Sequence, residues 1–169
     1  MEYRKLDASD WEQYKELRLL SLVQSAEAFE NSFEDESTLR DEQWISRVTA
    51  TQSAFIIGAF DGDVLIGVAG FSQALKEKIK HKSYLWGIFV KQEHRGKYIA
   101  NDLLSKLVQI AFQNTEISQI QLTVASENEV AISLYEKLGF RKYGTEVDAL
   151  RINGKSYDEI LMTYVTTET

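Results

Sequence analysis

The stretch YLWGIFVKQEHRGKYIA, residues 84–100, decides how this chain folds. Its first half belongs to a nearly continuous apolar run, Ser83–Val90, which is typical of a strand buried on both faces. Gly87 interrupts the run, and a glycine inside a strand usually marks a bulge or the close approach of a ligand or another backbone. The second half is polar and leads into a helix that we expect over Gly96–Gln113. The stretch therefore predicts a strand, a short loop and a helix start in succession.

The start of that helix is a candidate anion site. The first turn of a helix has free N–H groups and carries the positive end of the helix dipole, an arrangement that binds pyrophosphate. Arg95 and Lys97 add positive charge there, and Gly96 lets the backbone turn tightly. An Arg-Gly pair at a helix start also occurs in ordinary surface connections with solvated cations, so this segment alone leaves both interpretations open.

The rest of the chain predicts further helices and strands around this stretch. Before it we expect a strand over Glu2–Leu6 and two helices, Ser9–Val23 and Thr38–Ala50, which a polar, acidic link joins. A hairpin follows, in which Asp61-Gly62 connects Ser53–Phe60 to Val64–Ser72. After it we expect a strand, a helix stopped by Gly139 and a terminal hairpin: Gln119–Val124, Asn128–Leu138, and Phe140–Ile152 joined through Asn153-Gly154 to Lys155–Val165. The alternation of helix and strand implies parallel strands in the middle of the sheet.

Two capping boxes are expected to start helices in this pattern. Ser9 with Glu12 precedes the first helix, and Ser126 with Glu129 precedes the last one. In such a box each side chain accepts a hydrogen bond from the other residue's backbone N–H.

Length and composition exclude several classes of function. A chain of 169 residues is expected to form a single domain over residues 1–169. The absence of cysteine excludes disulfides, thiolate metal sites and cysteine nucleophiles. His81 and His94 have no partner at ligand spacing, so we expect no metal site. A net charge of −7 argues against broad nucleic-acid binding; it fits a cationic substrate, although simple solubility is the more common explanation.

No stretch of the sequence indicates a membrane span or a targeting signal. The apolar runs are shorter than the roughly 18 residues that a spanning helix needs, and the N-terminus has no charged and apolar leader. We therefore expect a cytoplasmic protein that does not bind membranes. The terminal strands offer a surface through which a homodimer could form.

A second candidate segment is SENEVAISLYEKLGFRKYG, residues 126–144. It predicts an amphipathic helix on which Asn128 and Tyr135, seven residues apart, point the same way. Taken alone, the more common interpretation is a tyrosine that rests on the core with its hydroxyl in solvent.

Both segments resemble signatures of the GNAT superfamily of acetyltransferases. The first signature is Arg or Gln, two residues, Gly, one residue, then Gly or Ala, and this chain has Arg95-Gly96-Lys97-Tyr98-Ile99-Ala100. Tyr98 stands where the family usually has glycine, and we expect it to be helical with its side chain pointing outwards. The second signature, Asn, Ala, then Leu-Tyr-x-Lys-x-Gly-Phe, matches closely. The stretches LRLLSLVQSAEAFENSFEDE and GKSYDEILM also resemble the beginning and the closing strand of one subgroup.

The resemblance implies an α/β fold and a cofactor. The fold is a mixed, mostly antiparallel seven-stranded sheet with about four helices, whose parallel fourth and fifth strands separate to admit the cofactor. The cosubstrate is acetyl-CoA, without a metal; its pantetheine pairs with a strand edge and its pyrophosphate binds the helix start. The residues implied to bind coenzyme A are Ile88, Phe89, Val90, Arg95, Gly96, Lys97, Tyr98, Ile99, Ala100 and Asn128.

The resemblance also implies a reaction, namely direct attack by an amine of a small molecule or peptide on the thioester. Tyr135 is implied to lie beside the thioester sulfur, and a hydroxyl with a pKa near 10 can protonate a thiolate whose pKa is about 8.5. Backbone N–H groups near Phe89 or Val90 are expected to stabilise the oxyanion.

The residues that handle the acceptor are less defined. Glu34, Asp35 and Glu36 are candidates for the general base, although a solvated acidic loop explains them as well. Phe33 and Trp86 could line an acceptor pocket or belong to the core.

Two other functions remain open at this point. One is a non-catalytic acyl-CoA-binding module. Tyr98 in place of glycine and the lack of an identified general base are compatible with it. The other is a mononucleotide-binding α/β protein, although the chain lacks the Gly-rich fingerprint and the P-loop spacing.

Overall fold

Residues 1–166, the part of the chain that the computed structural model describes, form a seven-stranded sheet with helices on both faces. The strands are β1 (Glu2–Lys5), β2 (Ala54–Asp61), β3 (Val64–Gln73), β4 (Lys82–Val90), β5 (Gln119–Ala125), β6 (Arg141–Ile152) and β7 (Lys155–Val165). The helices are α1 (Trp11–Gln24), α2 (Phe33–Ser37), α3 (Asp41–Val48), α4 (Ile99–Ala111) and α5 (Glu129–Lys137).

The strands lie in the order β1-β2-β3-β4-β5-β7-β6. Only β4 and β5 run parallel among the neighbours in residues 1–166, and the other pairs are antiparallel. The expected mixed sheet with parallel fourth and fifth strands is thus confirmed.

A separate apolar core lies on each face of the sheet. Helix α4 buries Leu103, Leu104 and Leu107 completely on one face, and α5 packs on the same side. On the other face, Tyr14 and Leu17 of α1 pack with a fully buried tryptophan of α3. Burial on both faces explains why the central strands are apolar along most of their length.

The helix starts differ from the expected capping boxes. Asp7 and Asp10 form the box before α1: the N–H of Ser9 donates to Asp7 Oδ1 at 2.8 Å and the N–H of Asp7 to Asp10 Oδ2 at 2.9 Å. Carboxylates are stronger acceptors than hydroxyls, and Arg4 neutralises Asp10 with bonds of 2.7 and 2.8 Å. The box of Ser9 with Glu12 is therefore wrong.

The box of Ser126 with Glu129 is wrong as well. The backbone N–H of Ser126 donates to the carbonyl of Asp158 in β7 at 2.9 Å, so this residue is still bonded to the sheet just after β5 ends. Asn128 caps α5 instead, because its Oδ1 accepts from the N–H of Ala131 at 3.1 Å.

A short extra helix lies within the segment that was expected to be a link. Ser32 and Asp35 form its capping box, with distances of 3.1 and 3.2 Å. The following helix runs from Asp41 to Val48 and is therefore shorter than the expected Thr38–Ala50. The first 37 residues therefore carry two helices, and the chain has five rather than about four within its described part.

Candidate active site

The parallel strands β4 and β5 separate after a short paired segment. Their register runs from Lys82 opposite Gln119 to Tyr84 opposite Gln121. From Leu85 to Val90, the edge of β4 that faces β5 has no strand partner within residues 1–166. Its N–H and C=O groups, except the Val90 carbonyl, which accepts from Arg95 Nε, are therefore available to an extended ligand, as in β-augmentation.

A bulge in β4 accompanies this separation. Trp86 lies opposite Gly70 and Phe89 opposite Val68, so that Gly87 and Ile88 together face a single residue of β3. Gly87 has a φ of 64°, in the left-handed region that glycine adopts without strain. Of the two reasons expected for a glycine here, the bulge is thus confirmed, and it redirects the strand at the point where the sheet opens.

The residues of the predicted phosphate loop follow directly. Gly96 has a φ of 75° and Tyr98 a φ of 61°, and α4 begins at Ile99 rather than at Gly96. Tyr98 is left-handed, so the expectation of a helical residue is wrong. A left-handed conformation costs a side-chain-bearing residue about 1–2 kcal/mol, which gives a physical reason for the glycine that the resemblance leads one to expect here. The Tyr98 side chain is 80% exposed, so packing does not compensate that cost.

The loop presents a run of free backbone amides. From Gly96 to Ala100, no N–H donates to an acceptor within residues 1–166, and the first bond of the helix start is from Asp102 to the carbonyl of Tyr98 at 3.0 Å. Left-handed residues within such a run turn neighbouring amides toward one point and create a concave anion site. The buried side chain of Ile99 fixes the loop to the core beneath α4.

The two cations of the loop have different surroundings. Arg95 Nε donates to the carbonyl of Val90 at 2.9 Å, and its guanidinium lies 5.4 Å from the centre of the Phe89 ring. This bond ties the loop to the end of β4. Lys97 is exposed and forms no ion pair with residues 1–166. The structure thus places Arg95, Lys97 and the free amides together at the end of the open edge.

The second predicted pair lies on α5. The Oδ1 of Asn128 is used to cap the helix, and its side-chain N–H groups make no hydrogen bond within residues 1–166. Tyr135 is buried with an edge-on contact to Phe140, the ring centres 6.0 Å apart. Burial raises the pKa of the Tyr135 hydroxyl well above its usual value, so this group stays protonated at neutral pH. Within residues 1–166 the hydroxyl makes no hydrogen bond.

The model of the Acetyltransferase (GNAT) family matches residues 13–140. The chain belongs to this family. Among sequence relatives, it is 30% identical to the spermidine N(1)-acetyltransferase of Vibrio cholerae over 103 residues, which are 61% of this chain and 59% of that protein. It is 32% identical to the [ribosomal protein uS5]-alanine N-acetyltransferase of Escherichia coli over 116 residues, 68% of this chain and 59% of that protein. The match therefore spans about three fifths of the length of these curated relatives.

Solved structures show the same GNAT fold. A GNAT-family acetyltransferase from Streptococcus pneumoniae superposes with a TM-score of 0.88 at 20% identity, covering 98% of this chain and 99% of that one. A Salmonella typhimurium protein solved with its cofactor acetyl-CoA has a TM-score of 0.86 at 20% identity, covering 100% of this chain and 95% of that one. Within residues 1–166, no helix has the length and apolarity needed to cross a bilayer, and no cluster of three His, Asp or Glu side chains is arranged for a metal.

One of the base candidates of this GNAT chain has a structural role instead. Glu36 is 2% exposed, and Arg18 holds its carboxylate with bonds of 3.0 and 2.8 Å, while Arg47 adds a third bond of 2.9 Å. Burial alone would raise the pKa of Glu36, but the bonds and charges of the two arginines outweigh it and lower the pKa. A carboxylate held in this way is a poor proton acceptor, so Glu36 is not the base.

The other acceptor candidates lie near the surface. Glu34 and Asp35 are exposed, and Asp35 is used in the cap of α2. Phe33 is exposed on the same short helix. Trp86 is half-buried and packs so closely over Gly70 that a Cβ there would lie 2.4 Å from its ring. Trp86 therefore fills a fixed position beside the bulge, on the α1 face of the sheet.

Sequence reasoning missed one carboxylate of this GNAT chain. Glu159 of β7 is buried, and burial, followed by the charges of Glu30 and Glu146, raises its pKa. The available signal was its place in YDEILM, where two acidic residues interrupt a strand that continues as an apolar run.

Proposed function

We propose that this GNAT protein transfers an acetyl group from acetyl-CoA to an amine of a small molecule or peptide, by direct attack of the amine on the thioester. The observation that carries the proposal is the continuous ligand path from the open edge of β4 to the free amides of the loop before α4. A cofactor with an extended amide-containing arm and a pyrophosphate needs both features, in this order.

The residues of the path suit the parts of acetyl-CoA. The backbone of Ile88, Phe89 and Val90 would pair with the pantetheine amides, and the N–H groups from Gly96 to Ala100 would hold the pyrophosphate. Arg95 and Lys97 would add positive charge beside it. Asn128 would contact the pantetheine through its free side-chain N–H groups. When bound, the cofactor supplies the activated acetyl group.

The chain's own groups would then act on the reaction. A backbone N–H of β4 near Phe89 would donate to the carbonyl oxygen as negative charge develops on it. The buried and protonated Tyr135 hydroxyl would give its proton to the departing sulfur. The proposal includes the cytoplasmic location expected from the sequence, and the homodimer stays a prediction.

Two relatives are named for amine acetylation, one of spermidine and another of the alanine of a ribosomal protein, and this supports the proposal. The test is thiol release from acetyl-CoA in the presence of spermidine, a peptide with N-terminal alanine and other primary amines. Reproducible turnover supports the proposal.

A parallel measurement of thermal stability distinguishes the alternatives. A cofactor at 100 times its Kd should stabilise the protein by about 2.7 kcal/mol. Saturable stabilisation without turnover would indicate a non-catalytic acyl-CoA-binding module. If coenzyme A does not change the thermal stability of the protein, both functions are excluded.

A further inference from the structure

Glu159 is a buried carboxylate without a balancing cation in the part of the chain that the structure describes. The buried carboxylates within residues 1–166 are Asp10, Glu36 and Glu159. Arg4 pairs with the first of them, and Arg18 and Arg47 pair with the second. Glu159 is 5% exposed, yet no lysine, arginine or histidine within the same residues forms an ion pair with it. A charge buried in this way is unfavourable unless a ligand compensates it.

The neighbours of Glu159 increase this cost. Glu146 lies directly opposite it in the pairing of β6 with β7, and Glu30 approaches from the segment that follows α1. Burial and these two charges raise the pKa of Glu159, whereas the Thr123 hydroxyl on β5 lowers it. Carboxylates of three separate segments therefore lie near enough for Glu30 and Glu146 to disfavour the charge of Glu159.

Glu159 lies one strand away from the gap between β4 and β5, because β7 borders β5 on its other side. Glu159 pairs with Ala125, the last residue of β5, well beyond the segment where β5 still pairs with β4. Its neighbours in sequence and register, Ile160 and Met162, point into the core beneath α4. Since side chains alternate along a strand, Glu159 points to the opposite face, where α1 packs and where Trp86 lies.

We propose that Glu159 receives the protonated amine of the acceptor beside this gap and takes its proton before the attack. The inference rests on the proposed function and specifies the acceptor class. With Glu30 and Glu146 beside it, the site suits a primary amine that carries a positive charge and has no acidic group next to the amine.

The proton and bond changes balance as follows. A proton moves from the ammonium nitrogen to a carboxylate oxygen of Glu159, and the freed lone pair forms the bond to the thioester carbon. The bond between carbon and sulfur breaks, and the sulfur takes the proton of the Tyr135 hydroxyl. The second proton of the amine nitrogen restores that hydroxyl, while Glu159 releases its proton to water. One ammonium and one thioester give one amide, one thiol and one proton.

Glu159→Gln tests the inference because it keeps the size of the side chain and removes the charge. The matched control is Glu16→Gln, which changes an exposed carboxylate on α1. We expect Glu159→Gln to lower kcat/KM for spermidine by about 100-fold or more, the usual size of a lost general base. The acidic limb of the pH dependence of kcat/KM should also disappear, whereas the control should retain both the rate and the limb.

Binding supplies a readout that does not depend on turnover. Calorimetry with spermidine in the presence of coenzyme A should show at least about tenfold weaker binding to Glu159→Gln than to the control. The stabilisation by coenzyme A alone should be equal in both variants. If the unchanged protein turns over amines and Glu159→Gln matches it in rate and in spermidine binding, the inference is overturned while the acetyltransferase stands. If the unchanged protein shows no turnover, the proposed function fails, and equal spermidine binding by both variants would overturn the inference too.

Discussion

Arg18 and Glu36 form a bidentate ion pair inside the protein, with Nε 3.0 Å from Oε2 and Nη2 2.8 Å from Oε1. The pair joins α1 to the short helix α2 and fixes the segment between them. The remaining Nη1 of Arg18 is buried, has no hydrogen-bond partner in residues 1–166, and lies 3.6 Å from the position that a Cβ of Gly87 would take. The ion pair therefore holds a positive charge directly behind the bulge of β4.

Loss of this pair should strongly destabilise the fold. We expect Glu36→Gln to lower the free energy of unfolding by about 3–5 kcal/mol, because the buried Arg18 is left without a counter-charge. Urea unfolding measures the change. Glu34→Gln, an exposed neighbour on the same helix, is the control and should stay within about 0.5 kcal/mol. A loss below about 1 kcal/mol would show that the ion pair contributes little to the stability of the fold.

The pH dependence of this difference has a defined sign. The pKa of Glu36 is lowered in the folded protein, so its contribution is present above its ordinary pKa of 4.5 and is lost as the pH falls through the lowered value. The stability difference between the unchanged protein and Glu36→Gln should therefore be largest at neutral pH. It should shrink below pH 4.5, and a constant difference from pH 7 to pH 3 would contradict the prediction.

Tyr98→Gly should stabilise the protein. Glycine removes a left-handed strain of about 1–2 kcal/mol, and it also makes the unfolded chain more flexible, so we expect a net gain of about 0.5–1 kcal/mol. Affinity for coenzyme A should stay within about threefold, because the amide is unchanged. Lys97→Gly is the control: this exposed residue has no positive φ, and we expect it to lose stability.

Tyr98 and Glu36 illustrate which features of the structure the sequence does not predict. Apolar runs, Asp-Gly and Asn-Gly turns and the alternation of helix and strand predict the order of elements and the parallel pair correctly, because these signals are local. The left-handed Tyr98 was missed because it lies in a backbone region that a tyrosine disfavours. The partners of Glu36 were missed because they approach from α1 and α3, and no local pattern encodes such a contact.

Tyr135→Phe should reduce turnover without loosening the cofactor. The hydroxyl makes no hydrogen bond within residues 1–166, so its removal should change stability by less than about 0.5 kcal/mol. If Tyr135 protonates the sulfur, kcat should fall by about 10-fold or more while the stabilisation by coenzyme A is unchanged. Tyr143→Phe, on the exposed part of β6, should retain full turnover. Equal turnover of the two variants would remove Tyr135 from the acid role.

Glu159→Gln and Glu36→Gln should change the stability of the protein in opposite directions, although both replace a buried carboxylate. Arginines stabilise the charge of Glu36, whereas burial and two glutamates oppose that of Glu159 and raise its pKa. The cost of charging Glu159 is absent below the ordinary pKa of 4.5 and grows as the pH rises through the raised value. The variant should therefore be the more stable protein at pH 8, by about 1–3 kcal/mol, and its advantage should vanish near pH 4. Thermal unfolding at both pH values measures this change.

Equal stability at pH 8 would mean that the protein already compensates the charge of Glu159. A gain in stability together with a loss of amine binding would mean that the charge is retained at a cost to folding, for an acceptor that carries the missing cation.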